Sequence, residues 1–162
     1  MSNEKTTAYE IVTQLLTHGY TLSTAESCTG GTIASTITSI AGCSAVFTGS
    51  VIAYCNKVKA NVLGVKESTL ENHGAVSEET VREMVAGVQR VMGTDCAIAT
   101  SGIAGPGGGT AQKPVGTVWI AVAVHNKITT LLLQTGCNNR EENIKATVNK
   151  ALATLKEAIA KE

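Results

Sequence analysis

Apolar residues recur along this chain with two periods, and the switches between them mark its elements. From Thr7 to His18, Ile11, Val12, Leu15 and Leu16 share one helical face, and Gly19 follows as a C-cap. Tyr20 to Ala25 predicts a short strand, and Gly31 to Ile40 a helix with Ile33, Ile37 and Ile40 at helical spacing. Gly49 to Tyr54 predicts the next strand, followed by a short helix capped by Asn56 that runs through Leu63 and stops at Gly64. Ser77 opens a longer helix, with Glu78 and Glu79 in its first turn and Val81, Met84, Val85, Val88 and Met92 as its apolar stripe before Gly93.

Three apolar runs come next. Cys96 to Thr100 precedes a glycine-rich loop, while Val115 to Val124 and Ile128 to Gln134 form a hairpin about Asn126-Lys127. Arg140 to Ala160 closes the chain as an amphipathic helix with Ile144, Val148, Leu152, Leu155 and Ile159 on one side. Helices alternating with buried strands, then antiparallel strands and a helix, predict an α/β fold: a three-layer α/β/α sandwich with a mixed, mostly parallel sheet. The 162 residues suit a single domain spanning 1–162 with a sizeable core.

Charge changes the picture by exclusion. With 13 basic and 13 acidic residues the formal net charge is +0, and there is no basic cluster, so a nucleic-acid footprint is missing. Aromatics are 3% of the chain, too few for base-stacking platforms. A polar start and the lack of any apolar run near the ~20 residues of a membrane span predict no signal peptide, no membrane partner and a cytoplasmic location. The expected partner is a small-molecule substrate, with a homo-oligomer possible. Five widely spaced cysteines without a C-x-x-C pair support neither zinc nor a disulfide framework, and are expected to be reduced and mostly buried; no metal site is expected.

Candidate chemistry gathers on loops after strands: Ser27-Cys28-Thr29-Gly30-Gly31, the run from Ser101 to Gly109, and Gly136 to Arg140. Ligands collect beyond the carboxyl ends of strands in such sheets, so one pocket is expected. Ser27 sits on a strand-to-helix turn whose backbone N–H groups and helix dipole favour an anion or oxyanion, although an ordinary N-cap explains the same residues. Neither G-x-G-x-x-G nor a P-loop is present, and G-x-S-x-G and S-x-x-K are absent too. Of the three histidines, His18 and His125 are expected in solvent, while His73 could reach a pocket. Lysine is the other candidate base: Lys59, in the first turn of a helix after Tyr54, would lose its proton more easily if buried there. Solvated helix-face charges are the plain alternative for Lys57 and Lys59.

Six ordered motifs decide between these readings. Thr24-Ala25-Glu26-Ser27-Cys28-Thr29-Gly30-Gly31, Tyr54-x-Asn56-x-x-Lys59, Leu63-Gly64-Val65, His73 to Ser77, Ser101-Gly102-Ile103-Ala104-Gly105-Pro106-x-Gly108-Gly109 and Lys113 to Val118 together resemble the C-terminal domain of the competence/damage-inducible CinA family, from about Ile11 to Leu155. The resemblance implies a stand-alone nicotinamide-nucleotide amidase, or nicotinamide mononucleotide (NMN) deamidase, of the pyridine nucleotide cycle, needing no cofactor. It implies Ser27 as nucleophile, Lys59 as its base and Tyr54 as their assistant. Thr29, Gly30 and Gly31 would supply oxyanion donors, with Asn56, Gly102, Gly105 and Arg140 also contacting substrate and Lys145 a second candidate for the phosphate. The rival expectations are a non-catalytic nucleotide-binding or partner domain, and an amidase acting on another small carboxamide.

Overall fold

The computed structural model of the chain describes residues 2–162. Five strands, β1 (Leu22–Glu26), β2 (Phe47–Ile52), β3 (Cys96–Gly102), β4 (Thr117–Val124) and β5 (Lys127–Gln134), form one sheet in the order β2-β1-β3-β4-β5. β1 pairs in parallel with β2 and β3, and β4 runs antiparallel to β3 and β5. The sheet is therefore mixed, and only β4 runs against the other strands. Glu26 lies level with Ile52 on one side and Thr100 on the other, so β1 and β2 end together with β3 close behind. The loops that follow are forced to one place.

Side-chain alternation gives the two faces different depths. One face presents Leu22, Ile98, Ile120 and Val122 to α1 (Asn3–His18), α2 (Thr32–Thr38) and α6 (Arg140–Ile159), which answer with Ile11, Leu15, Ile33, Ile37, Leu152 and Leu155. The other is paved with Ala25, Ala97, Ala99, Ala121 and Ala123, and packs against Val81, Met84, Val85 and Val88 of α5 (Glu78–Met92) and against Leu63 and Val65. Short side chains there let α5 approach the sheet closely. This is the expected α/β/α sandwich.

Predicted and observed elements agree to within a few residues at their ends. Two short ones have no apolar signature: a 3-10 turn at Cys43–Ala45, and α4 (Glu67–His73). α4 docks through polar contacts, Glu83 of α5 accepting from Lys66 N at 2.7 Å and from Thr69 Oγ1 at 2.8 Å. Asn56 is not a cap. It is the first residue of α3 (Asn56–Asn61), whose N-cap is Cys55, with no side-chain capping bond. Ser77 does cap α5, accepting from Thr80 N at 3.2 Å. The cysteines are all free, but only Cys28 and Cys96 are buried, while Cys55 is exposed. Among the described residues no helix is long and apolar enough to cross a membrane.

The packing makes one glycine decisive. A Cβ on Gly87, in the middle of α5, would run into the carbonyl group of Leu63. Gly87→Ala is expected to lower stability by about 1–3 kcal/mol, because the obstacle is backbone and cannot swing away. Gly107→Ala, where a Cβ meets nothing within 4 Å, serves as the control, and denaturant unfolding of both variants measures the difference.

Candidate active site

Ser27 begins the turn after β1, its N–H bonded to Thr100 O at 3.0 Å while Ala53 N–H bonds Glu26 O at 2.8 Å. The ladder thus extends one residue beyond the strands and fixes the backbone of the nucleophile candidate. Lys59 reaches it from α3. The Lys59 side chain is 1% exposed, and its Nζ lies 3.0 Å from Ser27 Oγ, 2.8 Å from Ala53 O and 3.4 Å from Tyr54 O. The charged form donates to all three oxygens; once neutral, the amine keeps two N–H groups for the carbonyls and has a lone pair to accept from the serine hydroxyl.

Burial pushes the Lys59 amine below the ordinary lysine range, and the nearby thiols of Cys55 and Cys28 oppose this more weakly. Among the described residues no carboxylate lies within ion-pair distance of it. The helix dipole is not the cause. α3 has six residues and Lys59 falls in its last turn, so the expected placement in the first turn is corrected and desolvation carries the effect. Cys28 is no competitor to Ser27: burial pushes its thiol up to about 12, which keeps it protonated near neutrality.

The turn differs from expectation in which N–H groups it offers. Gly30 N–H is bonded to Ser27 O at 3.1 Å, and Gly31 N–H to Glu26 Oε2 at 3.0 Å. Neither is free for an oxyanion. Cys28 and Thr29 carry the N–H groups that make no hydrogen bond among the described residues. Thr29 itself is buried, its hydroxyl donating to Glu26 Oε2 at 2.7 Å and lying 2.8 Å from Thr100 Oγ1. Its side chain anchors the turn rather than facing a ligand, which leaves only its backbone N–H unused.

Around the Ser27–Lys59 pair lies a cavity of about 230 Å³, lined among others by Cys28, Tyr54, Asn56, Ser101, Gly102 and Arg140. Tyr54 is 59% exposed, and its hydroxyl accepts from Arg140 Nη2 at 2.8 Å. It touches the dyad only through its carbonyl. Arg140 also donates to Gly105 O at 3.0 Å, so Gly105 enters the site as the support of this guanidinium. No carboxylate pairs with Arg140 among the described residues. Lys145 stands elsewhere, in the groove between α1 and α6, 3.9 Å from Glu4. His73 is likewise outside the cavity, 3.6 Å from Glu79, while Ala75 and Val76 of the following loop line it.

Three contributors were given no role by the sequence, although Ser101 and Glu26 stand within its motifs. Ser101 is 1% exposed, lines the cavity, and its hydroxyl has no partner among the described residues. Strand parity was the available signal, since Ala97, Ala99 and Ser101 alternate onto one face. Asn143, fully buried in α6, donates to Ala104 O at 2.9 Å and Cys137 O at 3.0 Å, tying two of the loops together. Glu26 is the third. Among the described residues no group of His, Cys, Asp and Glu is placed to hold a metal ion.

Comparison with known proteins extends the geometry. Residues 4–159 match the CinA C-terminal domain. The chain is 50% identical over 150 residues to a CinA-like protein of Cytophaga hutchinsonii, covering 93% of this chain and 35% of that protein. A CinA-like protein of Thermotoga maritima is 50% identical over 131 residues, covering 80% of this chain and 32% of the relative. The chain thus spans about a third of the length of these curated relatives. Among solved structures, a competence/damage inducible protein from Agrobacterium tumefaciens superposes with a TM-score of 0.95 at 40% identity, covering 99% of this chain and 97% of that one. A competence-damaged protein (CinA) superfamily protein from Klebsiella pneumoniae gives 0.94 at 37% identity, covering 99% and 100%.

The buried amine gives a test with a defined direction. A lysine can take a serine proton only in its neutral form, so if the pair acts as nucleophile and base, covalent labelling of Ser27 by a fluorophosphonate should rise with pH through a midpoint below the ~10.4 of free lysine. Lys59→Arg should label at least about 100-fold more slowly at every pH, because guanidinium stays protonated. Mass spectrometry of the labelled protein measures both.

Proposed function

The chain belongs to the CinA C-terminal domain family, and from that premise we propose that it is a nicotinamide-nucleotide amidase, hydrolysing NMN to nicotinic acid mononucleotide and ammonia. One observation carries the proposal: a lysine amine with no counter-charge, 1% exposed, 3.0 Å from a serine hydroxyl at the end of a strand. Burial of that kind is costly unless the neutral amine is used.

Ser27 Oγ attacks the carboxamide carbon as its proton moves to Lys59 Nζ. The N–H groups of Cys28 and Thr29 are the donors available to the oxyanion; losing one such donor typically costs about 3 kcal/mol of transition-state stabilisation. Collapse of the tetrahedral adduct expels ammonia, protonated by the Lys59 ammonium, and leaves an ester on Ser27. Water then gives its proton to Lys59 and attacks that ester, releasing the carboxylic acid and restoring the hydroxyl. Side chains and backbone of this chain suffice for each step.

The cavity of about 230 Å³ is smaller than the ~300–1,000 Å³ of whole-ligand pockets. It suits the pyridine carboxamide, with ribose and phosphate lying outward past Asn56 and Arg140. Arg140 is the cation for the phosphate, charged, exposed and unpaired with any carboxylate among the described residues. The reaction belongs to pyridine nucleotide recycling in the cytoplasm.

Incubation with NMN should release ammonia and nicotinic acid mononucleotide in equal amounts, and Ser27→Ala should lose at least about 1,000-fold in kcat with an unchanged thermal midpoint. Silence of the folded wild-type protein toward NMN would sink the proposal.

The phosphate is tested separately. Nicotinamide riboside should be at least about 10-fold poorer in kcat/KM, and Arg140→Ala should raise KM for the nucleotide by about 10-fold while leaving the riboside nearly unaffected. Equal efficiency on both compounds would favour an amidase for small carboxamides in general.

A further inference from the structure

Glu26 is completely buried beside Ser27, yet it faces away from the cavity. Alternation along β1 sends Leu22, Thr24 and Glu26 to the α2 side and Ala25 and Ser27 to the α3 side. On its own side the carboxylate accepts five hydrogen bonds. Oε2 takes Thr29 Oγ1 at 2.7 Å, Gly31 N at 3.0 Å and Ile33 N at 3.1 Å, and Oε1 takes Ala34 N at 2.8 Å and Thr24 Oγ1 at 3.2 Å.

These bonds fill the N-terminus of α2, whose N-cap Gly31 brings no side chain of its own. The anion that such a helix end attracts is therefore supplied from within the chain. The substrate has no claim on it. Since Thr29 spends its proton on Glu26, the Thr100 hydroxyl donates to Thr29, and this second bond ties the turn to β3.

We propose that Glu26 is a positioning residue for the reaction: its buried carboxylate clamps Thr29 and Gly31 so that the turn holds Ser27 Oγ and the free N–H groups of Cys28 and Thr29 in one fixed arrangement. The effect is exerted from behind, through the backbone of residues 27–31, without contact with substrate. The kinetic part of the inference rests on the amidase reading; the geometric part does not.

Glu26→Gln keeps the shape but replaces one accepting oxygen by an N–H₂ group that opposes a backbone or hydroxyl donor. Fluorophosphonate labelling of Ser27 should slow about 100-fold at temperatures where circular dichroism shows the variant fully folded, with the pH midpoint set by Lys59 unmoved. With NMN, kcat should fall by a similar factor and KM by less than threefold in either direction. Labelling within threefold of wild type, a loss carried by KM, or a shifted pH midpoint each overturns the proposal. If Glu26→Gln fails to fold, Thr29→Val, which deletes the hydroxyl between Glu26 and Thr100, should slow labelling about 10-fold, and an unchanged rate overturns the proposal. A wild-type protein that labels at Ser27 but releases no ammonia removes the amidase reading alone; one that does not label removes the activated nucleophile and this proposal with it.

Discussion

The site depends on one unfavourable act, the burial of the Lys59 amine where no carboxylate can neutralise it. Water would stabilise the ammonium form strongly, so its removal shifts the group, 3.0 Å from the serine hydroxyl, toward neutrality. The fold must hold the amine there against its tendency to escape. It does so with the carbonyls of Ala53 and Tyr54, which exist in position because the ladder runs past Glu26 into Ala53. The register of β1 with β2 is thus part of the chemistry: a slip of one residue would turn Ser27 to the wrong face and take Ala53 O out of reach.

The same alternation divides labour between adjacent residues. Ser27 looks toward α3 and a partner that must be uncharged; Glu26 looks toward α2 and a ring of donors that suit a carboxylate. Had both faced one side, a carboxylate beside Lys59 would have favoured its ammonium form. A sheet separates them. Glu26 and Lys59, which both crowd around Ser27 in space, are thereby kept from meeting, and each is served by its own environment.

The fold was largely legible because long elements carry strong periodicity: α5 and α6 show clear apolar stripes, and β4 and β5 bracket a short turn. α4 was not, since it carries one apolar residue, Leu70, and is held as well by Glu83 of α5, which accepts from Lys66 N and Thr69 Oγ1. At the site, residue types and motif order pointed to Ser27, Lys59 and Arg140. Which N–H groups are free could not be read, because that depends on where Glu26 spends its oxygens. The helix around Lys59 and the part played by burial were legible, but its turn was not: Lys59 falls in the last turn of α3, away from the N-terminal end of the dipole, so desolvation acts alone. Lys145 was a second candidate beside Arg140 on the sequence. Five positions along α6 turn it toward Glu4 instead.

Arg140 shows how the chain handles a charge it does not bury. It occupies the first residue of α6, where the helix dipole disfavours a cation and where Glu141 and Glu142 are the residues that suit the position. Its guanidinium nevertheless turns away from those carboxylates to a tyrosine hydroxyl and a carbonyl, two neutral acceptors. Neutral partners fix the direction of the fork without cancelling its charge. The guanidinium at the mouth of the cavity therefore stays without a carboxylate partner among the described residues, while Lys59 is pushed toward the neutral state by burial. The two basic residues of this cavity thus differ by exposure: Arg140 keeps its charge in water at the rim, and Lys59 is driven toward the neutral amine within.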